Sequence, residues 1–425
     1  MKNRITLLTL ILCTIQIFEQ DTYLQCGELF DSESGKFLSE RTIVVSGNKI
    51  KSIEKGFSSG TDADTVVDLR SKTVLPGFID MHVHIEGESS PSRYLERFTK
   101  NDVDVAFQST VYAKRTLMAG FTTVRDLGGS GVNIALGKAI NKGLVMGPRI
   151  FTAGKAIATT GGHADPTNGV RNELMHDPGP KEGVVNSPED ARKAVRQRYK
   201  NGADVIKITA TGGVMSVAKN GQNPQFTTEE LKAIVETAKD YGMLTAAHAH
   251  GDEGMRRAII AGIKTIEHGT LMEEPTMELM IKHNAYLVPT ISAGKAAAAM
   301  AEIPNFLPAV VAKKAKEIGP ISEKNFKRAY EKGVPIAFGT DAGVSPHGDN
   351  GKEFTYMHEA GMSVVAALQA AMTTPAQLLG MENELGILKS GYLADIVAVD
   401  ENPVGNVRTL ESVSFVMKNG VVYKQ

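Results

Sequence analysis

The chain has no tryptophan and only two cysteines, Cys13 and Cys26, among 425 residues. Two thiols without a CxxC spacing exclude a disulfide framework. An excess of charge is missing too: 47 Lys and Arg stand against 48 Asp and Glu, a formal net charge of −1. A balanced chain with no basic run interleaved with aromatics carries no electrostatic footprint for DNA, RNA or an anionic membrane. No apolar run is long enough to span a bilayer comfortably. No GxGxxG or GxxxxGK[ST] follows a strand-like run, so a nucleotide fold lacks its own signature. Fixed-period repeats, long disordered tails and low-complexity tracts are also missing. What is plentiful is glycine, 42 residues, which suits a fold with many tight strand-to-helix connections.

Lys2 and Arg4 precede an apolar stretch from Ile5 to Ile17. That pattern reads as a secretory signal over residues 1–21, although no A-x-A cleavage site follows it. Cys13, after Leu10-Ile11-Leu12, only loosely matches a lipoprotein box. Export to the periplasm is expected, with cytoplasmic residence from a start codon placed too far upstream as the alternative.

Residues 22–74 read as short strands. Arg41–Val45 and Lys49–Ile53 flank Ser46-Gly47-Asn48 as a hairpin, and Val66–Leu69 adds another run. Ala394–Val399, Val413–Lys418 and Val421–Lys424 have the same texture. Residues 22–74 and 376–425 are therefore expected to form one composite β-sandwich domain. Between them, in 75–375, eight short apolar runs recur: Val74–Met81, Thr122–Arg125, Arg149–Thr152, Val205–Thr209, Leu244–Ala247, Thr265–Glu267, Tyr286–Val288 and Pro335–Gly339. Helical stretches separate them. Ser187-Pro188 opens one as N-cap and N1, and Thr227-Thr228-Glu229-Glu230 opens another as a capping box. Such alternation predicts an α/β fold, a parallel (β/α)8 TIM barrel, with a doubly wound open sheet as runner-up.

The sharpest chemical signal is Asp80-Met81-His82-Val83-His84, at the end of the first of these runs. Alternation along a strand puts His82 and His84 on one face, and active sites sit at the C-terminal ends of barrel strands. HxH alone also fits a hydrogen-bonded pair. Yet His248, His268 and Asp341 end later runs, so several strand ends bring imidazoles and a carboxylate to one rim. This N/O set suits Zn²⁺ or a similar divalent ion. Lys207 lies mid-strand in Val205-Ile206-Lys207-Ile208-Thr209. Burial lowers the pKa of such an amine, and an uncharged amine adds CO₂ to give a carbamate able to bridge two metals; a buried ion pair is the alternative. The Gly-, Asn- and Pro-rich connections 153–187 and 210–226 are expected to cover the site and set substrate choice.

Leu75-Pro76-Gly77-Phe78-Ile79-Asp80-Met81-His82-Val83-His84 resembles the entry motif of the amidohydrolase superfamily. Lys207, His248, His268 and Gly339-Thr340-Asp341 resemble it as well, as does the tail Gly386–Val397. Gly161-Gly162-His163, Gly212-Gly213, His248-Ala249-His250-Gly251 and Pro346-His347-Gly348 are most similar to the Xaa-Pro dipeptidase and imidazolonepropionase-like group. The resemblance implies two divalent metal ions, Zn²⁺ first among the candidates. His82, His84 and Asp341 would hold one, and carbamylated Lys207 would bridge to a second completed by His248 and His268. It further implies a metal-activated water as nucleophile, with Asp341 passing its proton to the leaving nitrogen. His163 and His250 are candidates for substrate contact, as is His347. Asp126 is read either as supporting the site from behind or as pairing with Arg125.

A dipeptidase cleaving a peptide C–N bond is the first expectation. An imidazolonepropionase-like or other cyclic-amide or N-acyl hydrolase is the second, and a non-catalytic binding protein a remote third. The partner is a small molecule or dipeptide, and a homo-oligomer is compatible with the sequence.

Overall fold

The structure, a computed structural model, describes residues 20–218 and 221–425. Apart from Gln20 and Asp21, the expected leader, with Cys13, lies outside the described residues. In chain order the strands are β1 (Thr22–Asp31), β2 (Lys36–Ser46), β3 (Lys49–Lys55), β4 (Thr65–Pro76), β5 (Phe78–Val83), β6 (Phe121–Asp126) and β7 (Arg149–Thr152). They continue as β8 (Val205–Thr209), β9 (Leu244–Ala249), β10 (Thr265–His268), β11 (Tyr286–Val288), β12 (Ile396–Val399), β13 (Phe415–Lys418) and β14 (Val421–Lys424).

The strands from the two ends of the chain form one seven-stranded sheet, ordered β14-β13-β12-β4-β1-β2-β3. Its buried side chains, among them Leu24, Ile43, Val67, Ile396 and Phe415, make a core of their own. The sheet folds over that core as a β-sandwich: Ile50 N–H donates to the Tyr392 carbonyl, and Ala394 N–H to that of Asn48, each at 2.9 Å. Cys26 lies inside, where burial pushes its thiol up to about 12, so it is an inert core residue.

Strands β5–β11 are parallel and form the barrel wall in two arcs, β5-β6-β7 and β8-β9-β10-β11. Two irregular segments close the gaps. Ile157 bridges to Ile208, its N–H donating to the Lys207 carbonyl at 2.8 Å. Pro335–Gly339, the eighth expected strand, pairs with Leu287 on one side, and its Phe338 carbonyl accepts from Met81 N–H at 2.9 Å on the other. Beyond Gly339 the chain turns left-handed at Asp341, φ 57°, which ends regular pairing there. The run Val74–Met81, read as one strand, is two: β4 ends at Pro76, which pairs with Ile396 of the sandwich, and β5 begins at Phe78.

Helices cover the barrel as the alternation predicts. The Ser187 side chain accepts from Asp190 N–H, and Thr227 with Glu230 makes the expected capping box. Phe78, Phe121 and Phe338 of the barrel cluster around Phe354 of the helix Lys352–Glu359, Phe78 edge-on to its ring and Phe121 stacked on it. No helix among the described residues is long and apolar enough to cross a membrane.

Candidate metal centre

The strand ends converge as barrel geometry requires. His82 comes from β5 and His84 directly follows it, Lys207 comes from β8, His248 from β9, His268 from β10, and Asp341 from the segment that closes the barrel. With His163 and His250 they line one cavity of about 720 Å³. Both long connections contribute to its wall, through His163, Asp165 and Glu182 in the first and Val214–Val217 in the second. Lys314 anchors the second: its ammonium donates to the carbonyls of Gly213, Ser216 and Ala218 at 2.7–2.8 Å.

Each of the four imidazoles of His82, His84, His248 and His268 is tied by one ring nitrogen, which decides what the other can do. His82 Nδ1 lies 2.9 Å from a Glu267 carboxylate oxygen, and His84 Nδ1 lies 2.8 Å from the Gly128 carbonyl. Those oxygens only accept, so in the neutral rings the proton is on Nδ1 and the lone pair on Nε2. His268 is tied through Nδ1 as well, to the Thr290 hydroxyl at 2.7 Å. His248 is reversed: Nε2 meets the Gly212 carbonyl at 3.1 Å, leaving Nδ1 as its free ligand atom.

The free atoms face one another without bonding. His82 Nε2 and Asp341 Oδ1 are buried and have no hydrogen-bond partner. They are 3.6 Å apart, and His84 Nε2 is 3.4 Å from the same oxygen. That is long for a hydrogen bond. It does suit ligands around one small cation: bonds of about 2.0–2.1 Å to Zn²⁺ leave tetrahedral neighbours roughly 3.3 Å apart. The ligand atoms of His82, His268 and Asp341 all lie within 4.8 Å of one another. The residues fit a divalent metal, and this is a metal-binding His/Asp site.

Electrostatics prepare it. Burial, then the charge of Lys207, holds His82 and His84 well below the usual imidazole range. Burial and neighbouring imidazoles do the same for His248 and His268. His82 beside Glu267 is therefore a neutral hydrogen-bond donor, not an ion pair. Neutral rings offer lone pairs at pH 7, as metal ligation needs. Asp341 moves the other way: burial raises its carboxyl, against the lowering charge of Lys207. Lys207 is brought down by burial and makes no hydrogen bond or ion pair among the described residues, which leaves its amine available.

Backbone strain gathers here. Among the described residues, seven non-glycine positions have positive φ, and His268 (71°), Thr290 (50°) and Asp341 (57°) are three of them. Such conformations cost on the order of 1–3 kcal/mol each and persist where surrounding structure imposes them.

Two residues that support the site were not read from the sequence. Glu267 and Arg125 are fully buried and paired at 2.8 Å. The Arg125 guanidinium also donates to the Met81 carbonyl at 2.6 Å and to the Thr265 hydroxyl at 3.0 Å. The pair holds His82 from behind. The available signal was a charge in the middle of a buried strand, the signal that singled out Lys207. Asp126 does not pair with Arg125; it accepts from Asn133 Nδ2 and Ile85 N–H, both at 2.7 Å.

His163 stacks on His248, centroids 4.3 Å apart, and its buried Nδ1 has no partner. It fits because residue 213 is glycine: a Cβ there would lie 2.2–2.4 Å from the ring. His250 Nδ1 meets the Thr270 hydroxyl at 2.9 Å. His347 does not line the cavity; it stacks on Tyr112, and Nε2–H donates to the Gly87 carbonyl at 3.0 Å. His176, given no role from the sequence, does line it.

Residues 73–424 match the amidohydrolase family. The chain belongs to that family. This amidohydrolase is similar to a solved Xaa-Pro dipeptidase with bound methionine in the active site: TM-score 0.93 and 52% identity, covering 96% of this chain and 100% of the other. It is also similar to a solved prolidase complexed with N-methylphosphonate-L-proline, with TM-score 0.88, 32% identity and coverage of 96% and 100%. Among curated proteins, the ochratoxinase of Aspergillus niger is 32% identical over 375 residues, 84% of this chain and 76% of the relative. The protein is thus a metal-dependent hydrolase of the amidohydrolase family, acting on C–N bonds, with the barrel-and-sandwich fold of the prolidases.

Proposed function

We propose that this amidohydrolase is a dipeptidase of the Xaa-Pro type. One observation carries the reading: 52% identity across 96% of the chain to a Xaa-Pro dipeptidase holding methionine in its active site. His82, His84 and Asp341 would hold one divalent ion, and His248, His268 and a carbamate on Lys207 a second, with Zn²⁺ favoured by the N/O donors. The carbamate forms when neutral Lys207 Nζ attacks CO₂ and releases a proton. Bound ions supply an activated water and polarise the scissile carbonyl.

The chain's own residues do the rest. Asp341, its proton affinity raised by burial, takes a proton from the attacking water. The new C–O bond forms, the C–N bond breaks, and Asp341 returns the proton to the leaving nitrogen. The products are an amino acid with a free carboxyl group and one with a free amine. The open Nδ1 edge of His163 and the ring of His250 would hold the substrate acyl portion against the cluster. The leader would place this activity outside the cytoplasm, which fractionation of tagged cells tests.

The test of function is hydrolysis of a dipeptide library by purified protein, with metal content measured on the same sample. Cleavage confined to a Xaa-Pro class with about two metals per chain is the expected result. A second reading, an amide other than a dipeptide, is favoured by the ochratoxinase likeness. N-acyl amino acids and cyclic amides in the same assay decide between them.

A further inference from the structure

The second long loop is held at two levels. Next to the metal cluster, the backbone of Gly212 is fixed by its neighbours: its N–H donates to the Asn223 carbonyl at 3.1 Å, and its carbonyl accepts from the Thr211 hydroxyl at 2.7 Å as well as from His248. Beyond it, residues 213–218 join no strand or helix. Their carbonyls turn instead to two side chains from elsewhere in the fold. Met215 accepts from the Tyr94 hydroxyl at 2.7 Å. Gly213, Ser216 and Ala218 converge on the ammonium of Lys314, in the helix Ala309–Ile318. Lys314 is only 5% exposed and has no carboxylate partner among the described residues. A buried cation is a costly way to fill a core. Here the cost is offset by three charge-assisted bonds, which use every donor of the ammonium.

The stretch held in this way is wall, not scaffold. Val214, Met215, Ser216 and Val217 line the cavity, the Gly213 backbone seats the His163 ring, and Ser216 Oγ is buried without a hydrogen-bond partner. Val217 also meets the first long loop, since a Cβ on Gly169 would lie 2.7 Å from its Cγ2. Lys314 does not line the cavity, so it acts on what binds there only through this backbone. We propose that Lys314 is a positioning residue for substrate binding: its ammonium shapes the wall 213–218 and the seat of His163, while the metal ligands stand independently of it. That independence follows from the separate bonds that hold Gly212 beside His248. The inference rests on this cavity being the substrate site, and it holds whether the amide cleaved is a dipeptide or another.

The test compares wild type with Lys314→Met, which keeps the apolar stem but loses the ammonium, and with Lys314→Ala, on a substrate cleaved in the dipeptide and N-acyl panel. A wall in its binding conformation for about a tenth of the time raises KM about 10-fold. Lys314→Met is expected to raise KM by about that factor, with kcat changed less and metal content as in wild type. Propylammonium should bring KM of Lys314→Ala back toward wild type. Tetramethylammonium, which carries the charge but no N–H, should not. Unchanged KM in Lys314→Met, metal lost in step with activity, or equal rescue by the two ions overturns the proposal. Should Lys314→Ala not fold, the KM and metal content of Lys314→Met decide alone. Should wild type cleave nothing in the panel, the proposed function falls by itself, and limited proteolysis with thermolysin, mapped by mass spectrometry, decides on Lys314. Cleavage within residues 213–218 about 10-fold faster in Lys314→Met than in wild type supports the role, because such cleavage tracks the open population. Equal rates overturn it.

Discussion

Glu267→Gln is the most informative perturbation of the support beneath the site. Oε1 of Glu267 accepts from Arg125 Nη2 at 2.8 Å and from the Thr265 hydroxyl at 2.5 Å, while Oε2 accepts from His82 Nδ1–H at 2.9 Å. Glutamine keeps the shape but replaces one acceptor with a donor. If its NH₂ faces Arg125, a fully buried guanidinium loses its partner and meets another donor. If it faces His82, Nδ1 must accept, the ring proton moves to Nε2, and the ligand lone pair is lost. Breaking a buried ion pair by removing one partner costs about 3–5 kcal/mol. Removing the group that orients a ligand histidine costs about 10–100-fold in metal affinity. The two losses are separable. Urea unfolding of metal-free protein reads the first, and metal titration reads the second. The double variant Glu267→Gln, Arg125→Met removes both buried charges and frees the amide to turn its oxygen to His82, so it should recover stability and metal affinity together. Full metal affinity together with unchanged stability in Glu267→Gln would refute the claim that this pair orients His82.

The remaining predictions concern the ligands and one remote acid. Asp341→Asn should keep the fold, bind metal more weakly and lose about 10²–10⁴-fold in kcat; full activity would remove its role as proton carrier. Lys207→Ala should lower the metal count per chain, with short carboxylic acids restoring it in part; an unchanged count would end the carbamate reading. Glu353, fully buried, accepts from Ile291 N–H, Ser292 N–H and the Ser292 hydroxyl, and burial pushes its carboxyl up to about 7 from 4.5. Between those values the folded state holds a proton that the unfolded chain has released, so the stability contribution of Glu353 falls as pH rises through that window, by about 3 kcal/mol in all. Glu353→Gln lacks this dependence. Its stability relative to wild type should therefore climb from about pH 4.5 to 7 and level off above; a constant difference would refute the buried-acid reading.

Most of the ligand set was legible because barrel strands advertise themselves. A short apolar run followed by His places that residue at the rim whatever the helices do, as His248 near the end of β9 shows. Where the backbone departs from a plain strand, the reading loses its grip. Pro76-Gly77 splits one apparent strand between two domains, and Pro335–Gly339 closes the barrel with only scattered ladder bonds. His268 and Asp341 take their positions through left-handed backbone, which period-2 alternation does not describe. Arg125 and Glu267 carry the same local signal as Lys207, a charge inside a buried strand, but only pairing across the barrel makes them a unit.

By itself the sequence determined the fold class, the family and the residue types that meet at the strand ends, because hydrophobic periodicity and strand-end motifs are local properties of a chain. Which nitrogen of each histidine is free and which buried pair steadies His82 were decided by the tertiary structure. Those are facts about atoms far apart in sequence, and only closure of the barrel brings them within a few ångströms.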